Sequence, residues 1–239
     1  MKKVIGIVPK GLLFDMEKSC HSDIYQLGNN YTKRVLEAGC IPVCIAPVDG
    51  KISPEALEIC DGFVVQGGKQ MFPYHFQIID HAVRTRKRYL GICLGMQLIH
   101  KYFALRKMAQ EEGLEENVAA QICRLFFDEN KGHNLLHRVE GHYTKEIIPR
   151  GQEDIAKHAV DIVPGTLLHR LMGRETLRGA TFHNYRVENP VDCLTVNAWA
   201  TDGSGTIEGI EYQDYILGVQ FHPEADDQLP ELFSFLAGK

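Results

Sequence analysis

Short apolar runs alternate with helix-like segments through the first half of the chain. Lys3 to Val8, Ile41 to Ala46, Asp61 to Gln66 and Arg88 to Cys93 are short, nearly continuous apolar stretches, the pattern of strands covered on both faces of a parallel sheet. Between them, apolar positions recur at helical spacing over Ser22 to Glu37 and His75 to Lys87, and again over Met96 to Leu105 after the fourth run. This order predicts βαβ units. In the second half, His158 to Val163, Cys193 to Ala200, Ile207 to Tyr212 and Ile216 to Phe221 follow one another closely, divided by turn signals such as Asp202-Gly203. They predict antiparallel strands or hairpins added to the sheet. Leu229 to Leu236 predicts a final helix packed on it. The stretch from Lys107 to Gly151 is polar and lacks strand periodicity, and its segment from Glu111-Glu112 to Glu115-Glu116 predicts a solvated helix. No repeat, low-complexity run or linker interrupts the pattern, so one domain spanning 1–239 is expected.

Composition narrows the function classes. The chain has 26 Lys+Arg against 31 Asp+Glu, a net charge of −5, with 44% hydrophobic residues. That is enough apolar material for a core and gives no electrostatic footprint for nucleic acid. No run approaches the roughly 18 apolar residues of a membrane helix; the first one, Val4 to Val8, stops at Pro9 and Lys10. The seven cysteines (Cys20, Cys40, Cys44, Cys60, Cys93, Cys123, Cys193) are odd in number and form no C-x-x-C pair. Neither a disulfide framework nor a zinc ribbon is suggested, and a cytoplasmic location is expected.

The chemistry centres on Gly91-Ile92-Cys93-Leu94-Gly95, between an apolar strand and a helical pattern. A nucleophile on a tight strand-to-helix turn needs small residues on either side. The helix start also favours a thiolate at Cys93 and lets the Leu94 amide point at a developing oxyanion. The pentapeptide alone equally describes a buried cysteine beside two packing glycines. Phe221-His222-Pro223-Glu224 supplies a base: in the extended backbone that proline imposes on the residue before it, His222 and Glu224 face the same side, and the carboxylate can orient the ring. Gly67-Gly68 ends another strand, where Gly68 becomes a candidate second oxyanion donor and Gly67 a candidate for close ligand approach.

Together these landmarks resemble the class I glutamine amidotransferase-like superfamily, and within it most nearly the γ-glutamyl-γ-aminobutyrate hydrolase (peptidase C26-like) family. The resemblance runs from Val4 to the C-terminus through Tyr31 to Pro42 (Y-x-x-x-V-L-E-A-G-x-I-P), Gly67-Gly68, Gly91 to Gln97 (G-I-C-L-G-M-Q), Thr181 to Asn184, Asp202-Gly203 with Ile207-Glu208, and Gly218 to Glu224 (G-V-Q-F-H-P-E). It implies a flavodoxin-like three-layer α/β/α sandwich with a mainly parallel central sheet. It also implies a Cys93–His222–Glu224 triad that cleaves a γ-glutamyl amide through a thioester, using no cofactor or metal. The resemblance implies substrate-side positions for Gln97, His183 and Asn184, with a structural histidine at a strand end an equal reading of His183. The implied partner is a small γ-glutamyl molecule, and a second copy of the chain or a separate synthetase is also allowed. Leu94 replaces the family's arginine after the nucleophile, Lys69 replaces an acidic residue, Asn184-Tyr185 replaces His-Gln, and a Gly-Gly-Thr-like turn after the elbow helix is replaced by Lys101 to Arg106.

Other signals carry less. His133, His137 and His142 recur at spacings of four and five without a Cys or Glu to complete a metal pattern. His158 and His169 read as ordinary strand and helix residues, and Asp15, Glu17 and Asp23 as a solvated loop face. Four functions compete: a free-standing γ-glutamyl hydrolase, a glutaminase subunit passing ammonia to a synthetase, a catalytically silent ligand-binding relative, and a dienelactone-hydrolase-like enzyme, which shares G-x-C-x-G but needs an acidic residue well before its histidine rather than two residues after it. The chain contains no G-x-x-x-x-G-K-[ST] loop with which to activate an acceptor itself.

Overall fold

The computed structural model describes residues 1–13, 23–114, 116–142, 153–225, 227 and 229–238. Among these residues the strands run in chain order: β1 Val4–Val8, β2 Lys10–Leu13, β3 Asp23–Gln26, β4 Ile41–Cys44, β5 Gly62–Val65, β6 Arg88–Ile92, β7 Leu136–Arg138, β8 Lys157–Ile162, β9 Thr176–Ala180, β10 Tyr185–Val187, β11 Thr195–Ala200, β12 Ile207–Tyr212 and β13 Ile216–Val219. The α-helices are α1 Asn29–Glu37, α2 Pro54–Glu58, α3 Pro73–Thr85, α4 Leu94–Glu111, α5 Val118–Cys123, α6 Leu167–Met172 and α7 Pro230–Ala237.

Nine strands form one sheet in the order β4-β1-β5-β6-β13-β12-β11-β8-β9. Neighbours from β4 to β13 pair in parallel, and those from β13 to β9 pair antiparallel. Burial follows topology. The central strands β5 and β13 are buried at every position, whereas β8 and β9 mix exposed and buried positions, as expected of strands with one face toward water. Side chains leave a strand alternately up and down, so Phe63 and Val65 join one core while Val64 joins the other. Tyr89 against Leu90 and Ile92 divides in the same way. Helices α3, α4 and α5 pack together over the first core, and α1, α6 and α7 supply the second. The result is the flavodoxin-like α/β/α sandwich.

Some predicted elements differ. Ile216–Val219 is antiparallel to β12 but parallel to β6, because it is inserted beside the elbow strand rather than appended at an edge. The helix expected from Ser22 starts only at Asn29. Asp23–Gln26 is instead a strand paired with Lys10–Leu13, and Gly28, in extended conformation, is the N-cap of α1. Among the described residues of the acidic segment, Glu111 ends α4 and Gly113 turns at a φ of 73°, so the expected solvated helix does not run through them. Asp15, Glu17, Cys20 and Glu115 lie outside the described residues.

Candidate active site

The pairing of β6 with β13 assembles the site. Ile92 is in register with Val219, and the Cys93 amide donates to the Val219 carbonyl at 2.8 Å. Parallel strands end on the same sheet edge, so the residues just beyond them, Cys93 and His222, emerge side by side. Cys93 itself sits at φ 52°, ψ −101°, a conformation costly for a residue with a Cβ and a recurrent feature of functional turns. The two glycines of the elbow have steric reasons. A Cβ on Gly91 would lie 2.5 Å from the Gly95 carbonyl carbon, and one on Gly95 would lie 2.5 Å from the Val65 carbonyl oxygen. Helix α4 begins at Leu94 with no side-chain cap, which leaves first-turn amides free for an anionic guest.

His222 is held on three sides. Its amide donates to the Ala180 carbonyl (2.8 Å), its Nδ1–H donates to Glu224 Oε1 (2.6 Å), and Phe182 packs edge-on against the ring with centroids 5.4 Å apart. Gly67 is the common wall. A Cβ there would meet His222 Cε1 at 2.7 Å and Cys93 Cβ at 3.4 Å, so the absent side chain is what lets ring and nucleophile meet. Burial opposes an imidazolium, yet the Glu224 carboxylate and the Cys93 sulfur together hold the His222 pKa well above its ordinary value.

Sequence reasoning missed three supporting residues. Tyr31, on α1, accepts the Gly67 amide on its hydroxyl oxygen at 3.0 Å, and the phenol feels the nearby Glu224 carboxylate. Burial, reinforced by that carboxylate, holds the phenol well above its ordinary pKa, so the hydroxyl keeps its proton. One turn on, Arg34 reaches the Glu224 carbonyl with Nε (3.4 Å) and pairs with Glu37 and Asp227. Gln66 donates to the Val8 and Gln26 carbonyls and accepts the Gly28 amide, tying the strand before Gly67 to its neighbours. The only signal in the sequence is the Tyr31 to Pro42 motif, which marks a helix but not what it touches.

Comparison with known proteins agrees with this geometry. The glutamine amidotransferase class-I family matches residues 21–231. The chain belongs to the class-I glutamine amidotransferase family. A glutamine amidotransferase-like protein of Rickettsia prowazekii is 26% identical, over 93% of this chain and 91% of its own length. A CTP synthase of Thermus thermophilus is 31% identical over 71% of this chain but only 32% of its own, so the chain spans about a third of the length of that relative. The glutaminase domain of a Trypanosoma brucei CTPS, solved with bound acivicin, shares the fold, with TM-score 0.59 and 18% identity over 99% of this chain and 93% of that one.

A cleft of about 890 Å³ opens beside Cys93, Leu94 and Gly68. The expected binding residues fare differently around it. Gln97 lines the cleft, but its Nε2 is engaged by the Tyr185 carbonyl and Gln220 Oε1, both at 3.1 Å, so Oε1 is what it can offer a guest. Asn184 is exposed on the rim. Gly67 gives its amide to Tyr31, which leaves Gly68 as the glycine with an amide to spare for an oxyanion. His183 borders the cleft, and its ring lies in a buried cluster with His142 and Glu208. His133 stacks on Phe126, centroids 4.8 Å apart, and His137 lies on β7, so the histidine run does not converge on itself.

Among the described residues, the cleft lining has no carboxylate and two lysines, Lys69 and Lys101. Lys101 Nζ donates to the Gly132 carbonyl at 2.9 Å and lies 4.6 Å from the centre of the Phe126 ring. Burial pushes its pKa down to about 8. No helix among the described residues is long and apolar enough to cross a membrane.

Proposed function

We propose that this chain hydrolyses a γ-glutamyl amide through a thioester on Cys93, with His222 as acid and base and Glu224 orienting the ring. The observation that carries this reading is the 2.6 Å Glu224–His222 hydrogen bond, with the other edge of the ring turned to Cys93 across Gly67. Cys93 Sγ attacks the side-chain carbonyl carbon, and the oxygen takes up negative charge facing the Gly68 and Leu94 amides. The C–N bond then breaks as His222 protonates the amine. His222 next removes a proton from water, which attacks the thioester carbonyl, releasing glutamate and returning Cys93.

The cleft supports a leaving group larger than ammonia. Its volume lies near the top of the roughly 300–1,000 Å³ range of small-molecule pockets, and its aromatic residues and two lysines suit an amine with an apolar body or an acidic group, as in γ-glutamyl-γ-aminobutyrate. A second reading, a glutaminase subunit feeding ammonia to a separate synthetase, is favoured by the match to only a third of a CTP synthase. Glutamate release from glutamine and a panel of γ-glutamyl amides by the purified chain separates the two. Release abolished by Cys93→Ala, and faster with acidic leaving amines than with glutamine, is the expected result. Turnover of glutamine appearing only when a synthetase is added supports the second reading. No release, together with a Cys93 inert to alkylation, overturns both.

A further inference from the structure

Outside the triad, the densest unexplained chemistry is the cluster that holds His183. Glu208 lies on β12 with no exposure, and neither carboxylate oxygen has a hydrogen bond of good geometry. Three imidazoles surround it. His142 Nδ1 and His183 Nε2 lie 3.3 and 3.4 Å from Oε1, and His158 Nε2 lies 3.4 Å from Oε2. An uncompensated carboxylate in such a place is expensive, so something must answer its charge.

The outer hydrogen bonds favour an answer other than a ring proton. His142 Nε2 is 2.8 Å from Asp202 Oδ2, and His183 Nδ1 is 3.0 Å from the Tyr185 carbonyl. Both acceptors take an N–H, so each ring carries a proton on the outer nitrogen, and each ring in its neutral form turns a lone pair inward. Those inward nitrogens are 3.1 Å apart. Two nitrogen lone pairs and a carboxylate oxygen thus converge on one another, a repulsive arrangement unless a cation lies between them. The three spacings of 3.1, 3.3 and 3.4 Å approach the edge of about 3.3–3.4 Å that a tetrahedron acquires when its ligands sit about 2.0–2.1 Å from zinc. A histidine whose far nitrogen is held by a carboxylate or carbonyl is also the usual second layer of a metal site. His158 completes the donor set, since the candidate ligand atoms of His142, His158 and Glu208 all lie within 4.8 Å of one another.

We propose that His142, His158, His183 and Glu208 form a binding site for a divalent transition metal of the zinc class. Such an ion would be closed in by protein and structural rather than catalytic. It would tie the loop bearing His142 and the segment Thr181 to Tyr185 to β8 and β12. That segment carries Phe182, which packs on His222, and the Tyr185 carbonyl that holds Gln97, so the ion would stiffen one wall of the cleft.

The test uses full-length protein purified without a histidine tag and dialysed against metal-free buffer. Elemental analysis is expected to find about one equivalent of zinc or a neighbouring first-row metal. The equivalent should be retained in Cys93→Ala, which removes the competing thiol, and lost in Glu208→Gln. Chelator-stripped wild-type protein should regain melting temperature on adding Zn²⁺, and with Co²⁺ alone should show the intense visible absorption of a tetrahedral site. Asp202→Asn, which keeps all four ligands, should weaken Zn²⁺ binding about 10- to 100-fold. Wild-type protein that holds no stoichiometric metal, and whose stripped form responds to neither ion, overturns the proposal and leaves a proton-bridged His–Glu network. Metal lost in Cys93→Ala but kept in Glu208→Gln overturns it equally, by assigning the ion to the thiol.

Discussion

At the scale of single residues, the active-site reading rests on one histidine with two neighbours. Cys93→Ala should lower glutamate release by at least about 10³-fold, since a missing nucleophile removes the covalent route while binding and oxyanion contacts survive. Glu224→Gln should cost about 10²- to 10⁴-fold in kcat, as loss of an orienting carboxylate does in related triads. It should also lower the His222 pKa, because burial, which opposes the charged ring, then acts without the nearest negative partner. Ring NMR across a pH series reads that shift directly. The sign for stability follows: a raised folded-state pKa stabilises the fold fully below the ordinary imidazole value of about 6.5, and the benefit disappears as pH rises through the folded value. The melting-temperature gap between wild type and Glu224→Gln should therefore be wide near pH 6 and narrow on the alkaline side. Tyr31→Phe leaves the Gly67 amide without its acceptor, and should destabilise by about 1–3 kcal/mol in denaturant titration while lowering kcat more than it changes KM.

Elements position these residues through close backbone approach. Helix α4 packs against β13 at Gly218, where a Cβ would lie 2.8 Å from Ile99 Cδ1 and 3.0 Å from Met96 Cγ. Gly218→Val must push the elbow helix away from the strand that leads to His222. The expected cost is about 1–3 kcal/mol of stability, with activity falling further than unfolding explains when both are measured at a temperature where the variant is folded. The elbow was legible in the sequence because its glycines answer to backbone atoms a few residues away or on the adjacent strand. The neighbour of β6 was not legible. The apolar run Ile216 to Phe221 reads the same whether it is appended to an edge or inserted at the centre, and only the hydrogen bonds of β6 with β13 distinguish them. Helix α1 shows the same limit: its amphipathic pattern announces a buried face, but not that Tyr31 on that face would hold the Gly67 amide and Arg34 the Glu224 carbonyl.

Across the whole molecule, the charge balance of the cleft has a consequence for specificity. A net charge of −5 says nothing of a pocket whose described lining holds lysines and no carboxylate. Lys101→Met should raise KM for γ-glutamyl amides with acidic leaving amines by about tenfold, the scale of one charged hydrogen bond, and change glutamine turnover far less. With a pKa near 8, the wild-type ammonium should lose this advantage above that pH, so KM for acidic substrates should climb in alkaline buffer while that of Lys101→Met stays flat. The sequence by itself determined the α/β alternation, the Cys93 elbow and the local His222–Glu224 pair, because each depends on residues within a turn or a strand of one another. Only the tertiary structure decided which strands lie side by side, that Gly67 spends its amide on Tyr31, and that His142, His158 and His183 gather around Glu208. Those contacts join segments far apart in the chain, and their geometry is set by sheet order and core packing rather than by any local spacing.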